Sequence, residues 1–133
     1  MDIKRLRERL ELYLNALEKL KESLEVEPAP SIVRDGAIQR FEFTYELGWK
    51  LMKAYLEYQG ITEGSTPREV YRESFRAGII FNGEAWLDMM TDRNLTSHTY
   101  DEKMADEIYS KIKNKHYDVL LEFSERMKKE VGL

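Results

Sequence analysis

The sequence predicts an all-α fold, an antiparallel up-and-down bundle of four to five helices, and three observations point there. Apolar residues recur three and four positions apart over long stretches, which is the period of one helix face. The three prolines and seven glycines are scattered rather than in runs, and Pro28, Pro30, Gly60, Gly64, Pro67, Gly78 and Gly83 stand at breaks between those stretches. With 133 residues and 42% hydrophobic content, the chain holds the apolar material for one core, and 35% charged residues supply its coat. Such a length predicts a single domain over residues 1–133.

The elements follow in order. Ile3, Leu6, Leu10, Tyr13, Leu14, Leu17, Leu20 and Leu24 predict a first helix from about Asp2 to Glu25. Pro28-Ala29-Pro30 stops it, because proline lacks the amide donor and restricts the residue before it. Ser31 is then the expected cap of a second helix, roughly Ile32 to Gln59. In that helix Phe41, Tyr45, Gly48, Trp49, Met52, Tyr55 and Leu56 form one apolar stripe, and Phe43, Leu47, Leu51, Ala54 and Tyr58 form a second beside it. Together they span an arc of roughly 240°, wider than the stripe of about 100° a surface helix needs. The helix is therefore either central in the bundle or buries a face against another chain.

Gly60 is the expected left-handed end of this helix. Thr66-Pro67-Arg68-Glu69 starts a short helix, with Thr66 as cap, Pro67 in the first turn and Glu69 completing a capping box, and Gly78 stops it. A further helix starts near Gly83 or Glu84 and carries Trp86, Leu87, Met89 and Met90. Thr99 and Glu102 read as another capping box, opening a last helix from about Tyr100 to Lys129 with Met104, Ile108, Ile112, Leu120, Phe123 and Met127 inward.

Composition removes several kinds of chemistry. Cysteine is absent, which excludes disulfides, zinc-thiolate sites and thiol catalysis. No helical His-Glu-x-x-His, EF-hand run or glycine-rich phosphate loop is present, so neither a metal nor a cofactor is expected. The formal net charge of −4 argues against a module wholly devoted to nucleic acid and leaves room for a local basic patch. Met1-Asp2-Ile3-Lys4-Arg5 leads straight into a charged amphipathic pattern, which predicts a cytoplasmic protein with no membrane partner.

Two places carry polar chemistry. Arg68, Arg72 and Arg76 are spaced four apart and share a helix face, either as a solvated stripe paired with Glu69 and Glu73 or as a strip that faces phosphates. The second is Arg93-Asn94-Leu95-Thr96-Ser97-His98-Thr99-Tyr100. His98 lies at a helix end among polar neighbours, where an imidazole suits acid–base work near neutral pH. Asn94 precedes it by four residues and can orient it. Arg93 precedes it by five, about 140° away on a continuous helix, so the two converge only if the helix ends there or a second copy contributes. Paired imidazoles and guanidiniums in a dimer cleft would suit metal-free cleavage of an RNA phosphodiester, while spacing alone is a weak signal and favours an ordinary helix end. His116, on the apolar stripe, reads as a core or boundary histidine without a role.

Phe41-Glu42-Phe43-Thr44-Tyr45-Glu46-Leu47-Gly48-Trp49-Lys50, Thr66-Pro67-Arg68-Glu69 and Arg93 through Glu102 together resemble the nucleotidyltransferase substrate-binding protein family, within the HEPN superfamily of helical bundles. The resemblance covers nearly the whole chain in order. It implies a bundle similar to the C-terminal domain of kanamycin nucleotidyltransferase, usually dimeric, with a separate minimal nucleotidyltransferase as partner. It also implies a ribonuclease motif, arginine then histidine after four to six residues, which Arg93 and His98 match. In toxin members a tyrosine follows two residues after the histidine and receives AMP from the partner; Tyr100 stands there. On that reading Arg93 and His98 are catalytic, Asn94 orients, Tyr100 is the modified residue and Arg68, Arg72 and Arg76 grip RNA. The family's other reading is a non-catalytic substrate-binding subunit of the nucleotidyltransferase.

Overall fold

The structure, a computed structural model, describes residues 2–132. Its helices are α1 (Ile3–Leu24), α2 (Ser31–Tyr58), α3 (Pro67–Arg76), α4 (Gly83–Leu95), α5 (Glu102–Lys111) and α6 (Tyr117–Val131). A 3-10 turn, Thr96–His98, follows α4, and a π turn, Ile112–His116, joins α5 to α6. Backbone dihedrals stay helical through that π turn, so α5 and α6 make one long rod and the bundle has five rods among the described residues. None of the helices among those residues is long and apolar enough to cross a membrane.

Cross-links give the directions. Arg40 donates to the Lys19 carbonyl at 2.6 Å while Gly48 packs on Tyr13, so α1 and α2 run antiparallel. Tyr13 donates to the Leu120 carbonyl at 2.6 Å and Arg7 to that of Val131 at 2.9 Å, which makes α1 antiparallel to α6 as well. Glu46 reaches Arg93 and Gly48 meets Trp86, setting α4 antiparallel to α2. The core centres on Trp86, whose ring packs against Tyr45, Tyr71 and Phe123, with Phe41, Leu51, Met52 and Leu56 beside it. Burial of each such side chain contributes about 1.5–3 kcal/mol.

α2 is the central helix, packed on α1, α3, α4 and α5. Its first stripe is buried or half-buried throughout, but in the second Phe43 and Tyr58 remain 40% exposed and Leu47 is half-buried. Gly60 and Gly78 both adopt the left-handed conformation their places after α2 and α3 predict, at φ 81° and 76°.

Three helix ends differ from expectation. Ser31 is the first residue of α2, and Pro30 occupies the cap position without a side-chain bond, its ring-fixed φ of −66° holding the last extended residue. Asp101, not Thr99, caps α5: its carboxylate accepts from the Lys103 and Met104 amides at 3.0 and 3.2 Å. Thr99 is spent on the preceding turn, its hydroxyl donating to the Thr96 carbonyl at 2.9 Å. The last helix thus starts at Glu102 and reaches Val131 through the π turn. A physical reason for that turn lies in the spacing Ile108, Ile112, His116, Leu120. Repeated steps of four overshoot the 3.6-residue period, and a wider turn, with the Tyr117 amide bonded to the Ile112 carbonyl, keeps all four side chains inward.

Candidate functional site

Residues of the second polar stretch lie where α4 ends. The Thr96 hydroxyl donates to the Arg93 carbonyl at 2.7 Å and the Ser97 hydroxyl to that of Asn94 at 3.4 Å, so side chains satisfy the carbonyls left open at the helix terminus. The α-helix therefore stops between Arg93 and His98, one of the two conditions for their convergence. Arg93 is one-third exposed and its Nε lies 3.5 Å from Glu46 Oε1 on α2, while the other oxygen of that carboxylate accepts from Trp49 Nε1 at 3.1 Å. His98 and Tyr100 are both exposed, Tyr100 at 82%, with ring centroids 6.0 Å apart edge to face. Among the described residues no hydrogen bond joins His98 to Asn94 or to Arg93; the guanidinium is held by α2 and the imidazole stands against Tyr100. An exposed imidazole beside a phenol and one turn from a partly exposed guanidinium can exchange protons and hold an anion.

Arg68, Arg72 and Arg76 sit at the other end of α4. They line an open groove of about 570 Å³ together with Tyr71, Phe75, Phe81, Asn82, Gly83, Glu84 and Leu87. Glu73 reaches Arg72 at 3.7 Å and Arg76 at 3.1 Å, yet both arginine side chains stay more than half exposed. Arg72 and Arg76 thus pair with an acid of their own helix, as the solvated-stripe reading expects, and all three arginines line the groove. About 12 Å of helical rise separates Leu87 from Leu95, so this groove and the His98 turn are not one pocket.

A third cluster escaped the sequence reading. His116 is fully buried, stacked on Phe41 at 5.4 Å, and its Nε2 donates to Asp92 Oδ2 at 2.6 Å. Asp92, 4% exposed, also binds Lys111 at 2.8 Å, and Asp88 binds Lys111 at 3.0 Å and Lys115 at 2.6 Å. Burial pushes the Asp92 carboxyl up, but the bonds from His116 and Lys111 outweigh it and hold it below its ordinary range. The Lys115 bond lowers Asp88 likewise. One ligand atom each from Asp88, Asp92 and His116 lies within 4.8 Å of the others, a spacing a cation could use. Two ammonium groups already balance the two carboxylates, so a metal would have to displace Lys111 and Lys115, and the group reads as an ion-pair network. Arg34 is a similar omission: 5% exposed, it bridges Glu102 at 2.8 Å and Asp106 at 2.9 Å, fastening α2 to the first turns of α5.

A profile of the family described as "Nucleotidyltransferase substrate binding protein like" matches residues 8–129. The "Probable ribonuclease HepT" of Haemophilus influenzae is 41% identical over 91 residues, a stretch that spans 62% of this chain and 62% of that relative. Among solved structures, a protein from Thermus thermophilus superposes with a TM-score of 0.72 at 34% identity, covering 90% of this chain and 96% of the other. A Haemophilus influenzae structure described as the fold of a substrate binding domain of a nucleotidyltransferase superposes at 0.68 with 28% identity, over 99% of this chain and 100% of that one. With its profile matched from Glu8 to Lys129 on a five-rod helical bundle, the chain belongs to the nucleotidyltransferase substrate-binding-protein-like family.

Proposed function

We propose that the protein is the helical member of a two-component nucleotidyltransferase system, a metal-independent endoribonuclease toxin controlled by AMP transfer to Tyr100. The observation that carries this reading is the exposed turn after α4, where His98 and Tyr100 stand ring to ring directly beyond Arg93. The ribonuclease name of the Haemophilus influenzae relative supports it.

His98 acts as base, taking the proton of a ribose 2′-hydroxyl. The freed oxygen attacks the adjacent phosphorus, the 5′-oxygen leaves and takes up a proton, and a 2′,3′-cyclic phosphate and a 5′-hydroxyl result. Arg93 balances the charge that develops on the phosphoryl oxygens, and Asn94 orients the imidazole once substrate is seated. A homodimer supplies the second imidazole as acid. Its seat is the partly covered apolar strip of exposed Phe43 and half-buried Leu47, which shares a face of α2 with Glu46, the carboxylate that holds Arg93. Control needs a reachable phenol. The Tyr100 hydroxyl gives up its proton to solvent as its oxygen attacks the α-phosphorus of ATP bound to the partner nucleotidyltransferase, pyrophosphate leaves, and the attached AMP covers His98.

The family description and the Haemophilus influenzae structure favour a second reading, a non-catalytic subunit that presents substrate to a minimal nucleotidyltransferase. Growth and mass separate the two. Expression without the partner should slow growth, and His98→Ala should relieve it. With partner and ATP the intact mass should rise by one AMP unit, an increase absent in Tyr100→Phe. Unimpaired growth, no mass increase, and a partner transferase activity that requires this protein would instead establish the substrate-binding subunit.

A further inference from the structure

The groove between α3 and α4 stands apart from the His98 turn. Its chemistry is unusual for a chain with net charge −4: three arginines converge on one concave surface of about 570 Å³. Among the described residues Arg68 has no carboxylate within ion-pair distance, and Arg72 and Arg76 are steadied by Glu73 without being covered. Successive arginines are about 6 Å apart along the helix axis, the spacing of neighbouring phosphates on an extended strand. Two phenyl rings belong to the same surface, Phe75 at 57% exposure and Phe81 at 58%. Neither ring gains anything from water, and both line the groove with more than half of their surface uncovered. Arginines in register with phosphates beside open aromatic rings are the elements from which single-stranded nucleic acid sites are built. Glu84 is the acid in the wall, so the charge favours an anion without being uniform.

We propose that this groove is a binding site for single-stranded RNA, in which Phe75 and Phe81 stack bases and Arg68, Arg72 and Arg76 hold phosphates. The inference rests on the ribonuclease reading for its purpose: the groove grips substrate at a distance from the bond to be cut. From the groove the strand runs along α4, whose residues Leu87, Thr91 and Asn94 share one face, with Thr91 and Asn94 exposed, and reaches the His98 turn. A duplex does not fit this role, because its bases are stacked on one another and unavailable to the phenyl rings.

The test is fluorescence anisotropy with a fluorescein-labelled ten-nucleotide RNA in EDTA, on full-length protein carrying His98→Ala so that the probe survives. Phe75→Ala and Phe81→Ala should each weaken binding about tenfold, and Phe81→Tyr should not. Replacing all three arginines by alanine should reduce the slope of log affinity against log salt by about 2, and replacing them by lysine should preserve it. Circular dichroism checks that each variant is folded. Wild-type affinity and salt slope in every folded variant, or equal binding of a duplex of the same sequence, overturn the proposal. So does a set of groove variants that bind RNA normally and lose the nucleotidyltransferase, which makes the groove a protein-docking surface. The two readings fail separately. Cleavage that needs His98 with groove-independent binding removes only the groove site; groove-dependent binding with no cleavage by wild-type protein removes only the nuclease.

Discussion

His116 Nε2 lies 2.6 Å from Asp92 Oδ2 with both side chains buried, and the contact pins the π turn to the residue that immediately precedes Arg93. Position 92 thus has two duties. It closes the core between α4 and the long last rod, and it fixes the final turn of α4 from which the His98 segment departs.

Acid should loosen this region first. Asp88 and Asp92 are held below the ordinary aspartate range in the folded chain, Asp88 chiefly by its bond from Lys115 and Asp92 by bonds from His116 and Lys111 that outweigh its burial. A depressed folded value means that their stabilisation is complete above about pH 4, the unfolded aspartate value, and is lost as pH falls through the folded values. Lys111 has the opposite sign. Burial lowers it, but Asp92 and Asp88 raise it overall, so its contribution is complete below about pH 10 and is lost only above that. Urea denaturation across pH should show a plateau from about pH 5 to 9 and a steep fall below about pH 4. Asp92→Asn should cost about 1–3 kcal/mol on the plateau and flatten the acid limb. An unchanged acid limb would contradict this assignment.

Gly48→Ala should destabilise the protein despite alanine's better helix propensity. A methyl group there would meet Tyr13 Cε1 at 3.0 Å and Trp86 Cη2 at 3.4 Å. Tyr13 is fully buried and tied by its hydroxyl to the Leu120 carbonyl, and Trp86 is wedged among three rings, so neither yields cheaply. Overpacking of about 1–3 kcal/mol should exceed the propensity gain of about 1 kcal/mol. A thermal midpoint equal to or above that of the parent would show that the α1–α2–α4 junction is looser than these contacts imply.

Metal should not stabilise the fold. Lys111 and Lys115 already neutralise Asp88 and Asp92, so EDTA and added zinc should each leave the thermal midpoint unchanged. A zinc-dependent rise that disappears in His116→Gln would convert the cluster from an ion-pair network into a cation site.

Local patterns explain what was legible in the sequence. The 3.6-residue period of Leu6, Leu10, Tyr13, Leu17 and Leu20 is a property of neighbouring residues, and all five are buried. Thr66-Pro67 and the glycines at 60 and 78 act within one turn, and each ends up where that chemistry requires. Competition between adjacent candidates is harder: Thr99 and Asp101 both could cap, and the 3-10 turn used up the threonine. The π turn was written in the run of four-residue steps around His116, a signal readable only when the period is followed over three turns. Asp92 with His116, and Arg34 with Glu102 and Asp106, join residues far apart in the chain, and no local spacing predicts which charged residue folds inward to meet another. The motif from Arg93 to Tyr100 was legible as residue types, whereas the hold of Glu46 on Arg93 depends on how α2 packs against α4.

The most direct measurement is cleavage of RNA by purified protein in EDTA, wild type beside His98→Ala, with the chemistry of the new ends determined. The wild type should leave 2′,3′-cyclic phosphate ends and the variant none. Intact RNA with unmodified, partner-free wild-type protein, or equal cleavage by His98→Ala, would contradict a ribonuclease built on Arg93 and His98.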